Sequence, residues 1–470
     1  MLFLPELTLL GAGLVFFALS LGNHPCDTIR NVAITLFAIV LATTLATVNM
    51  TGGLFYDAFR VDLFSQTFKV LIVLATLIVV VFTDTMPGVS AKYKAEYYIF
   101  LSMSVLGLMM LVSSVELLAI FVALELSSFA VYIMVPMRST EHGSKAQMEA
   151  GIKYLLFGVA ATGFMLFGMS YLFGLTGSTR LDVIITQLST MYTQPVVVIA
   201  VALVLSGFFY KLALFPFHFW VPDIYQGASN ETTAFIAAVP KIAAVAMLTR
   251  FVILAGDTGQ VMVNLLMVCA VASMFYGNLS ALVQKDLKRM LGFSGIAHAG
   301  FVLVGLLTFK ITGYTAALYY ITGYVFMNLA CFLVICSVSK DGTNLAIEDL
   351  SGLYKRAPLL ALTLTIGLFS LAGIPPFVGF TGKFMLLVNA LKEDYLLLVV
   401  LAAINTAIAI YYYLSVVRLA FCTDTEDRGQ VQTSFLTNAA SVLLIICIIV
   451  MGILPSQFLN LAQSSISVIM

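Results

Sequence analysis

The chain has 470 residues, of which 61% are hydrophobic and only 10% are charged, and its formal net charge at pH 7 is zero. Soluble globular proteins carry about a quarter charged residues, so this composition excludes a soluble globular protein and indicates a polytopic membrane protein. The zero net charge argues against a nucleic-acid partner.

Fourteen apolar segments are long enough, or nearly so, to cross a bilayer. The first contains MLFLPELTLLGAG, which lacks the basic region of a cleaved signal peptide and is interpreted as a membrane span. The predicted spans cover residues 3–22, 31–49, 62–84, 96–112, 115–136, 146–174, 195–220, 229–254, 260–282, 288–308, 313–338, 357–390, 395–420 and 434–456. The sequence therefore predicts an all-α polytopic membrane protein with about fourteen transmembrane helices.

The loops on the two sides of the predicted bundle differ in their basic residues. Thirteen lysines and arginines lie in loops after odd-numbered spans, and four lie in loops after even-numbered spans. Lysine and arginine concentrate in cytoplasmic loops, and an even number of spans returns the chain to the side where it began. Both termini are therefore predicted to face away from the cytoplasm.

The seventh span and the residues directly after it contain SGFFYKLALFPFHFWVPDIY, which places Lys211, Pro216 and His218 inside an otherwise apolar run. A charge at bilayer depth costs roughly 2.5–3.5 kcal/mol on insertion scales, so it rarely occurs without a function. Proline removes a backbone hydrogen bond and breaks the helix, which a membrane tolerates only where the break packs in protein or lines a wet cavity. This combination predicts an ion or proton site in a broken seventh helix.

A short internal sequence similarity relates this stretch to the twelfth span. KLALFP at 211–216 resembles SLAGIP at 370–375, an offset of 159 residues and five spans. Segments an odd number of spans apart cross in opposite directions, as inverted-topology repeats do. We therefore predict two inverted five-helix repeats, of helices 4–8 and 9–13, with broken helices 7 and 12. A match this short also arises by chance in apolar sequence.

The predicted organisation divides the chain into four parts. Residues 1–95 form three N-terminal helices, 96–256 the first repeat, 257–422 the second repeat, and 423–470 the C-terminal helix 14.

Glu125 lies in the middle of the fifth span, and its predicted partner is Lys153 near the start of the sixth. A carboxylate and an ammonium group in a low-dielectric site each keep the other charged. Weakening their contact favours the neutral lysine, so the pair can load and release a proton. The alternative is a static ion pair that holds two helices together.

Further ionisable residues extend this predicted line. Lys241 follows Pro240 deep in the eighth span, and Lys383 follows the break of the twelfth. Several lysines lie at membrane depth with fewer acidic residues, so they cannot all form stabilising ion pairs. A lysine without a counter-ion there loses its proton more easily, which suits proton transfer. His218 titrates near neutrality and could bridge between lysines, and this relay is favoured here although a lone histidine is more often a satisfied core residue. His298, in GFSGIAHAGF, is a further candidate.

Four other charged residues are given a simpler interpretation. Lys69 and Arg250 are expected to snorkel to the membrane surface, and Glu6 and Asp62 to reach water near span ends.

The six cysteines are scattered, no CxxC pair occurs, and the four histidines are far apart in sequence. No metal, haem or iron–sulfur ligand set and no nucleotide-binding glycine loop is recognisable, so no cofactor is expected in this chain.

Six stretches of the chain resemble one protein family. They are VALELSSFAVY, KYLLFGVAATGFMLFGMSYLFG, KLALFPFHFWVPDIYQGA, AAVPKIAA, QKDLKRMLGFSGIAHAGF and GIPPFVGFTGKF. The chain resembles the antiporter-like membrane subunits of respiratory complex I, the bacterial proton-translocating NADH–quinone oxidoreductase, and among them the subunit N family. The resemblance covers residues 95 to 420 or so and implies fourteen helices, two inverted repeats and broken seventh and twelfth helices.

The resemblance also implies roles in proton transfer. These are a coupling pair of Glu125 and Lys153, a central Lys211 with His218 beside it, a connecting Lys241 and a distal channel residue Lys383. One departure concerns the loop after the break, which is GASNETT where the family has a more proline-rich GAPTPVT-like run. The contacts of this loop therefore stay open.

A chain of this family is expected to carry no redox chemistry of its own. NADH, FMN, iron–sulfur clusters and quinone would bind to partner subunits. Its partners would be the other membrane subunits of complex I, including further antiporter-like subunits, and the lipid bilayer. Mitochondrial relatives lack the first three helices, so the full set of fourteen favours a bacterial inner membrane.

Two alternative interpretations remain beside proton translocation in complex I. The same fold serves subunits of cation/proton antiporters, which would require an exchanged ion. A structural membrane subunit whose buried charges only fix helix packing is the other. Quinone binding finds little support in the sequence.

Overall fold

The computed structural model describes residues 1–83, 85–139, 146–188, 191, 194–255, 260–339, 341–422 and 428–469, with side chains omitted at 253–255 and 260. The predicted boundary between the repeats, at 256/257, and the predicted start of the C-terminal part, at 423, lie outside these residues.

The described chain is almost entirely helical. The helices are α1 Leu4–Ser20, α2 Cys26–Ala46, α3 Leu63–Phe82, α4 Lys94–Ser113, α5 Leu117–Met134, α6 Ala146–Thr176, α7 Leu181–Leu188, α8 Pro195–Leu212, α9 Trp220–Gly227, α10 Asn230–Ala255, α11 Gln260–Ala281, α12 Leu287–Leu306, α13 Ile311–Val338, α14 Leu353–Arg356, α15 Pro358–Ala372, α16 Val378–Lys392, α17 Leu396–Phe421, α18 Phe435–Ile453 and α19 Pro455–Ser467. Two three-residue strands, β1 Gly52–Leu54 and β2 Phe59–Val61, form one antiparallel hairpin.

The predicted all-α polytopic fold is confirmed. Within the described ranges, 12 helices are long and apolar enough to cross a membrane, and α1 and α15 are shorter apolar helices. Each of the fourteen predicted spans corresponds to one of these helices, with α8 and α9 forming the seventh and α15 and α16 the twelfth.

Helix ends follow from local side-chain chemistry. Asp62 caps α3 by accepting a hydrogen bond from the Ser65 amide at 2.7 Å, and Glu116 caps α5 through the Ala119 amide at 2.7 Å. Such caps satisfy amides that have no partner inside the helix. Proline begins α8, α15 and α19, where its missing amide hydrogen removes no helical bond.

The two predicted breaks are present, and they end in the same way. Ala213 after α8 has φ 63°, and Gly373 after α15 has φ 86°. The Leu214 amide donates to the Phe209 carbonyl at 2.9 Å, and the Ile374 amide donates to the Phe369 carbonyl at 3.0 Å. These ends correspond at an offset of 160 residues, so the predicted offset of 159 is wrong by one.

Some short elements were not predicted from the sequence. They include the β1–β2 hairpin, the short helices α7 and α14, and the final α19. α19 packs against α3 and α13, and its Ser465 hydroxyl lies 3.0 Å from that of Thr67. It escapes a search for membrane spans because it is short and interrupts its apolar positions with polar ones.

The centre of the bundle is α10. Every residue from Asn230 to Val252 is buried, whereas only 39% of the most apolar window of α6 is buried. α10 packs against α3, α8 and α13. A lysine in the middle of α10 is therefore as far from water as this fold allows.

Candidate functional site

Three lysines lie in the apolar interior of the bundle. Lys211 on α8 is 2% exposed, Lys241 on α10 is 1% exposed and Lys383 on α16 is 4% exposed. None of them reaches the surface by snorkelling. Because an isolated buried ammonium group is costly, each needs a local environment that tolerates or exchanges its proton.

Lys211 shares its environment with Glu125 of α5. Lys211 and Glu125 act electrostatically on each other. Among the described residues, no other charged group acts on either side chain. The Lys211 Nζ and the Glu125 Oε1 have no hydrogen-bond partner among the described residues. The two groups are thus coupled electrostatically without a direct hydrogen bond.

Aromatic side chains enclose this pair. The Tyr154 ring lies 5.7 Å from that of Tyr210 and 4.9 Å from that of Trp220. The Tyr210 hydroxyl donates to the Tyr154 carbonyl at 2.8 Å, and the Trp220 indole donates to the Tyr210 carbonyl at 3.0 Å. The first turn after the break is thereby fixed against α6 and α8.

The predicted pair of Glu125 with Lys153 is wrong. The Lys153 Nζ lies 2.7 Å from Asp223 and 2.7 Å from Glu149, and 37% of its side-chain surface is exposed. Glu149 is four residues earlier on α6, and the break carries Asp223 on α9 to the same point. Lys153 is satisfied by these two nearer carboxylates, and Glu125 faces Lys211. The role of Lys153 in proton transfer stays a prediction.

Asp223 was missed because it lies just beyond the predicted seventh span, 195–220, and was given no role there. It also accepts a hydrogen bond from Arg289 Nη1 at 3.0 Å. The sequence signal was a carboxylate in WVPDIY, within two turns of a break.

Lys241 contacts a hydroxyl group rather than an acid. Its Nζ donates to the Tyr324 hydroxyl at 3.2 Å and lies 5.2 Å from the centre of that ring. The Asn328 amide donates to the same hydroxyl at 3.2 Å. Gly295 provides the space, since a Cβ atom there would lie 2.6 Å from the Lys241 Nζ.

Both Lys241 and Lys383 act electrostatically on His298, which is buried on α12. Its Nδ1 forms a hydrogen bond with the Tyr320 hydroxyl at 2.5 Å, and its Nε2 forms one with the Tyr413 hydroxyl at 3.1 Å. A histidine with a hydroxyl on each ring nitrogen can accept a proton on one side and release one on the other.

His218 is placed differently. It is buried, and neither ring nitrogen has a hydrogen-bond partner among the described residues. Its ring packs against those of Phe215, Phe219 and Tyr276 at 4.2–5.5 Å between centres. The break turns His218 toward α11, so the position between two lysines belongs to His298 and the bridging role of His218 gains no support.

Lys383 contacts the backbone at the break of the twelfth span. Its Nζ donates to the carbonyls of Leu371 at 2.9 Å and Ala372 at 3.3 Å, and lies 4.9 Å from the centre of the Phe301 ring. The last carbonyls of a helix have no partner within it. The end of α15 therefore supplies two acceptors to Lys383, which forms no ion pair with a carboxylate in the described part of the chain.

Four charges predicted to reach water are instead buried together. Lys69 and Glu6 are fully buried and lie 2.7 Å apart, and Arg250 contacts Asp62 at 3.0 Å. Asp62 and Arg250 also act electrostatically on Lys69. We call these four residues the buried charge cluster. The snorkelling and water-contact predictions were wrong because these partners lie far apart in sequence.

No group of three or more histidine, cysteine, aspartate or glutamate residues is placed to hold a metal ion within the described ranges.

The sequence and the structure are similar to those of known proteins. Residues 114–409 match the family described as NADH:quinone oxidoreductase/Mrp antiporter, TM. The chain is 49% identical over 468 residues to NADH-quinone oxidoreductase subunit N 2 of Opitutus terrae, an alignment that covers 99% of this chain and 98% of that protein.

Two solved structures share the fold over nearly the whole chain. A chain of respiratory complex I from Thermus thermophilus with bound aureothin is 30% identical, with a TM-score of 0.84 over 98% of this chain and 99% of that one. A chain of the Mrp complex from Dietzia is 22% identical, with a TM-score of 0.88 over 98% of this chain and 95% of that one, which shows a shared fold.

Proposed function

The chain belongs to the NADH:quinone oxidoreductase/Mrp antiporter family, and on that premise we propose that it is a subunit N, a membrane subunit through which an NADH–quinone oxidoreductase translocates protons. The observation that carries this proposal is the set of buried lysines, Lys211, Lys241 and Lys383, each in the core of the bundle. Such residues at membrane depth mark proton and ion pathways.

The proposed path begins at Glu125 and Lys211. While both are charged, each stabilises the other across a gap without a hydrogen bond. A displacement of α5 relative to α8 that weakens this coupling favours the neutral lysine, so a signal from a neighbouring subunit can release the proton. We assign the coupling pair to Glu125 and Lys211 in place of Glu125 and Lys153.

Tyr225 offers a link between the first two lysines. Its hydroxyl is buried and has no hydrogen-bond partner among the described residues. It is in electrostatic range of Tyr154, beside Lys211, and of Tyr324, which contacts Lys241. From Lys241, the path continues through His298 to Lys383, with Tyr320 and Tyr413 as hydroxyl contacts.

The chain is proposed to carry no redox chemistry. NADH, FMN, iron–sulfur clusters and quinone would be held by partner subunits of the complex. In this proposal the line of lysine, histidine and tyrosine transfers protons, and electron transfer is assigned to the cofactors of the partner subunits.

We further propose that the protein lies in a bacterial inner membrane with both termini on the periplasmic side, as the positive-inside distribution indicates. Exposed Cys422 follows the thirteenth span. A membrane-impermeant maleimide should react with it from the cytoplasmic side alone, and reaction from the periplasmic side would reverse the proposed orientation.

The division into 1–95, 96–256, 257–422 and 423–470 also stays a proposal. Its main support is the matching end of α8 and α15, 160 residues apart. Helices 4–8 and 9–13 would be the inverted repeats built around these breaks.

The experiment that tests this function replaces Glu125 by glutamine in the assembled complex. Glu125→Gln removes the negative charge that, among the described residues, acts on Lys211, and it keeps the size of the side chain. We expect proton translocation and NADH–quinone turnover in inside-out vesicles to fall about tenfold or more, with NADH oxidation by ferricyanide unchanged.

The matched control is Glu393→Gln, the same substitution at a carboxylate that lies 4.0 Å from Lys310 near the surface. The control should translocate protons normally. A Glu125→Gln complex that assembles on native gels and translocates at the normal rate would exclude a role of this pair in proton transfer.

A further inference from the structure

A polar cavity of about 370 Å³ lies where the ends of four spans meet. It is bordered by the end of α3, the start of α10, the end of α13 and the segment before α18. Most of its lining side chains carry hydroxyl groups, among them Thr83, Ser337, Ser339, Ser434 and Thr437. All of these segments adjoin loops after odd-numbered spans, so the cavity opens on the predicted cytoplasmic side. We call it the inlet cavity.

Glu231, in the first turn of α10, lines the inlet cavity. It is 2% exposed, and its Oε1 accepts a hydrogen bond from the Gly88 amide at 3.3 Å. Its Oε2 has no hydrogen-bond partner among the described residues. A buried carboxylate oxygen without a partner is costly, which points to exchange with the cavity it lines.

The loop before α4 packs closely against the Glu231 carboxylate. A Cβ atom on Gly88 would lie 2.6 Å from the Glu231 Oε2, and one on Gly342 would lie 2.7 Å from the Gly88 amide nitrogen. Two loops from distant parts of the chain therefore approach Glu231 closely enough that only glycine fits.

The charges around Glu231 determine what it can bind. The titratable and charged groups in electrostatic contact with Glu231 or with its two basic neighbours are Arg138, Lys288, Asp286, Tyr97, Tyr98 and Cys336. Lys288 Nζ donates to the Ala228 carbonyl at 2.9 Å, and Arg138 donates to the Gln226 carbonyl at 2.9 Å. Because two basic side chains already lie near this carboxylate, a further metal cation is disfavoured here.

The position of Glu231 is also distinctive in sequence. It falls in the GASNETT loop, where the resemblance leads us to expect a proline-rich run. Glu231 lies in the first turn of α10, at the mouth of the inlet cavity.

We propose that Glu231 takes up protons from the cytoplasmic side through the inlet cavity and supplies them to the core lysines. This inference rests on the proposed function of the chain in proton translocation. In the uptake step, a hydronium ion transfers its proton to Glu231 Oε2 and leaves as neutral water, and the neutral carboxylic acid then gives the proton up inward. Lys241 lies ten residues further along α10, about 15 Å away, so Glu231 serves uptake and is distinct from the coupling pair.

The test uses Glu231→Gln in the assembled complex, in inside-out vesicles whose outer face is the cytoplasmic one. Proton translocation is measured as external pH is raised. We expect the variant to lose rate about tenfold at alkaline external pH, where protons are scarce, and much less at acidic pH. Glu231→Asp should recover most of the rate, and Glu348→Gln, an exposed carboxylate in a loop on the same side, should match the wild type.

A second variant reports on the cavity without touching the carboxylate. Ser337→Leu fills part of the inlet cavity and should produce the same loss of translocation rate at alkaline pH. This variant tests the proposal even where Glu231→Gln does not assemble. A membrane-impermeant maleimide should label Cys336, another lining residue, from the cytoplasmic side in a Cys26→Ser, Cys422→Ser background, and the label should disappear with Cys336→Ser.

An unchanged pH profile in assembled Glu231→Gln and Ser337→Leu complexes would overturn the inference. If Glu125→Gln still abolishes translocation in the same preparation, the proposed function stands and only the uptake site fails. Normal translocation in all three variants would instead reject the proposed function.

Discussion

Replacing Lys211 by alanine should reduce proton translocation by about a hundredfold, the lower end of the effect of a positioned proton-transfer group. Lys211 is buried, and it is the cation that acts on Glu125. Without Lys211, the Glu125 carboxylate has no neighbouring group whose protonation it can control. NADH–quinone turnover should fall with translocation, because the two processes are coupled in the proposed function. Both rates are measured in inside-out vesicles, with assembly followed on native gels.

The difficulty with Lys211→Ala is that it leaves Glu125 buried without its partner, which by itself destabilises a protein by about 3–5 kcal/mol. The double variant Lys211→Ala, Glu125→Gln removes this unpaired charge. It should restore assembly where the single variant lacks it, and translocation should stay lost. Lys392→Ala makes the same change at an exposed lysine at the end of α16 and should be silent.

These results separate a proton path from a structural ion pair. If the charges only hold helices together, the double variant recovers translocation along with assembly. That outcome would also remove Lys241 and Lys383 from the proposed path, since both were assigned on the same grounds of burial in the core.

The sequence is sufficient to locate the spans and the breaks but not the contacts between them. Lys211 could be identified because its signal is local: a lysine, a proline and a helix that cannot continue, all within one turn or two. The same reasoning identified Lys383. Lys383 contacts a feature of its own break, because it donates to the Leu371 carbonyl.

Contacts across the bundle have no such local signal. Lys153 was paired with Glu125 on closeness in sequence, whereas its observed partner Asp223 lies 70 residues away. His218 was favoured because it follows Lys211 closely in sequence, yet the break directs it toward Tyr276. Both lysines act electrostatically on His298 because α12 packs against α10 and α16. Which faces of the helices meet is decided by packing, and hydrophobic patterning in a membrane carries little information on it.

The second large effect is expected at the buried charge cluster. Asp62→Asn should lower the stability of the assembled chain by about 3–5 kcal/mol, because Arg250 would remain buried without its counter-ion. Both residues are at least 95% buried, and they join the start of α3 to α10, 188 residues apart. The N-terminal three helices should therefore detach more readily from the first repeat. A lower unfolding temperature of the detergent-purified complex, or loss of the chain from it on native gels, measures this effect.

Asparagine is the informative replacement because it separates two roles of one side chain. Asp62 also caps α3 through the Ser65 amide, and asparagine caps a helix about as well as aspartate. The loss in Asp62→Asn therefore reports the charge alone. Glu116→Gln changes a second capping carboxylate, on α5, that has no such arginine partner, and it should cost less than about 1 kcal/mol.

The pair can be tested further by removing both charges. Replacing a buried ion pair with neutral side chains of similar volume is often neutral or stabilising, so Asp62→Asn with Arg250→Met should recover most of the stability that Asp62→Asn loses. Recovery would show that the unpaired arginine, and not the lost carboxylate, causes the damage. If Asp62→Asn is instead as stable as Glu116→Gln, Arg250 finds water or another partner, and the cluster does not hold the N-terminal helices in place.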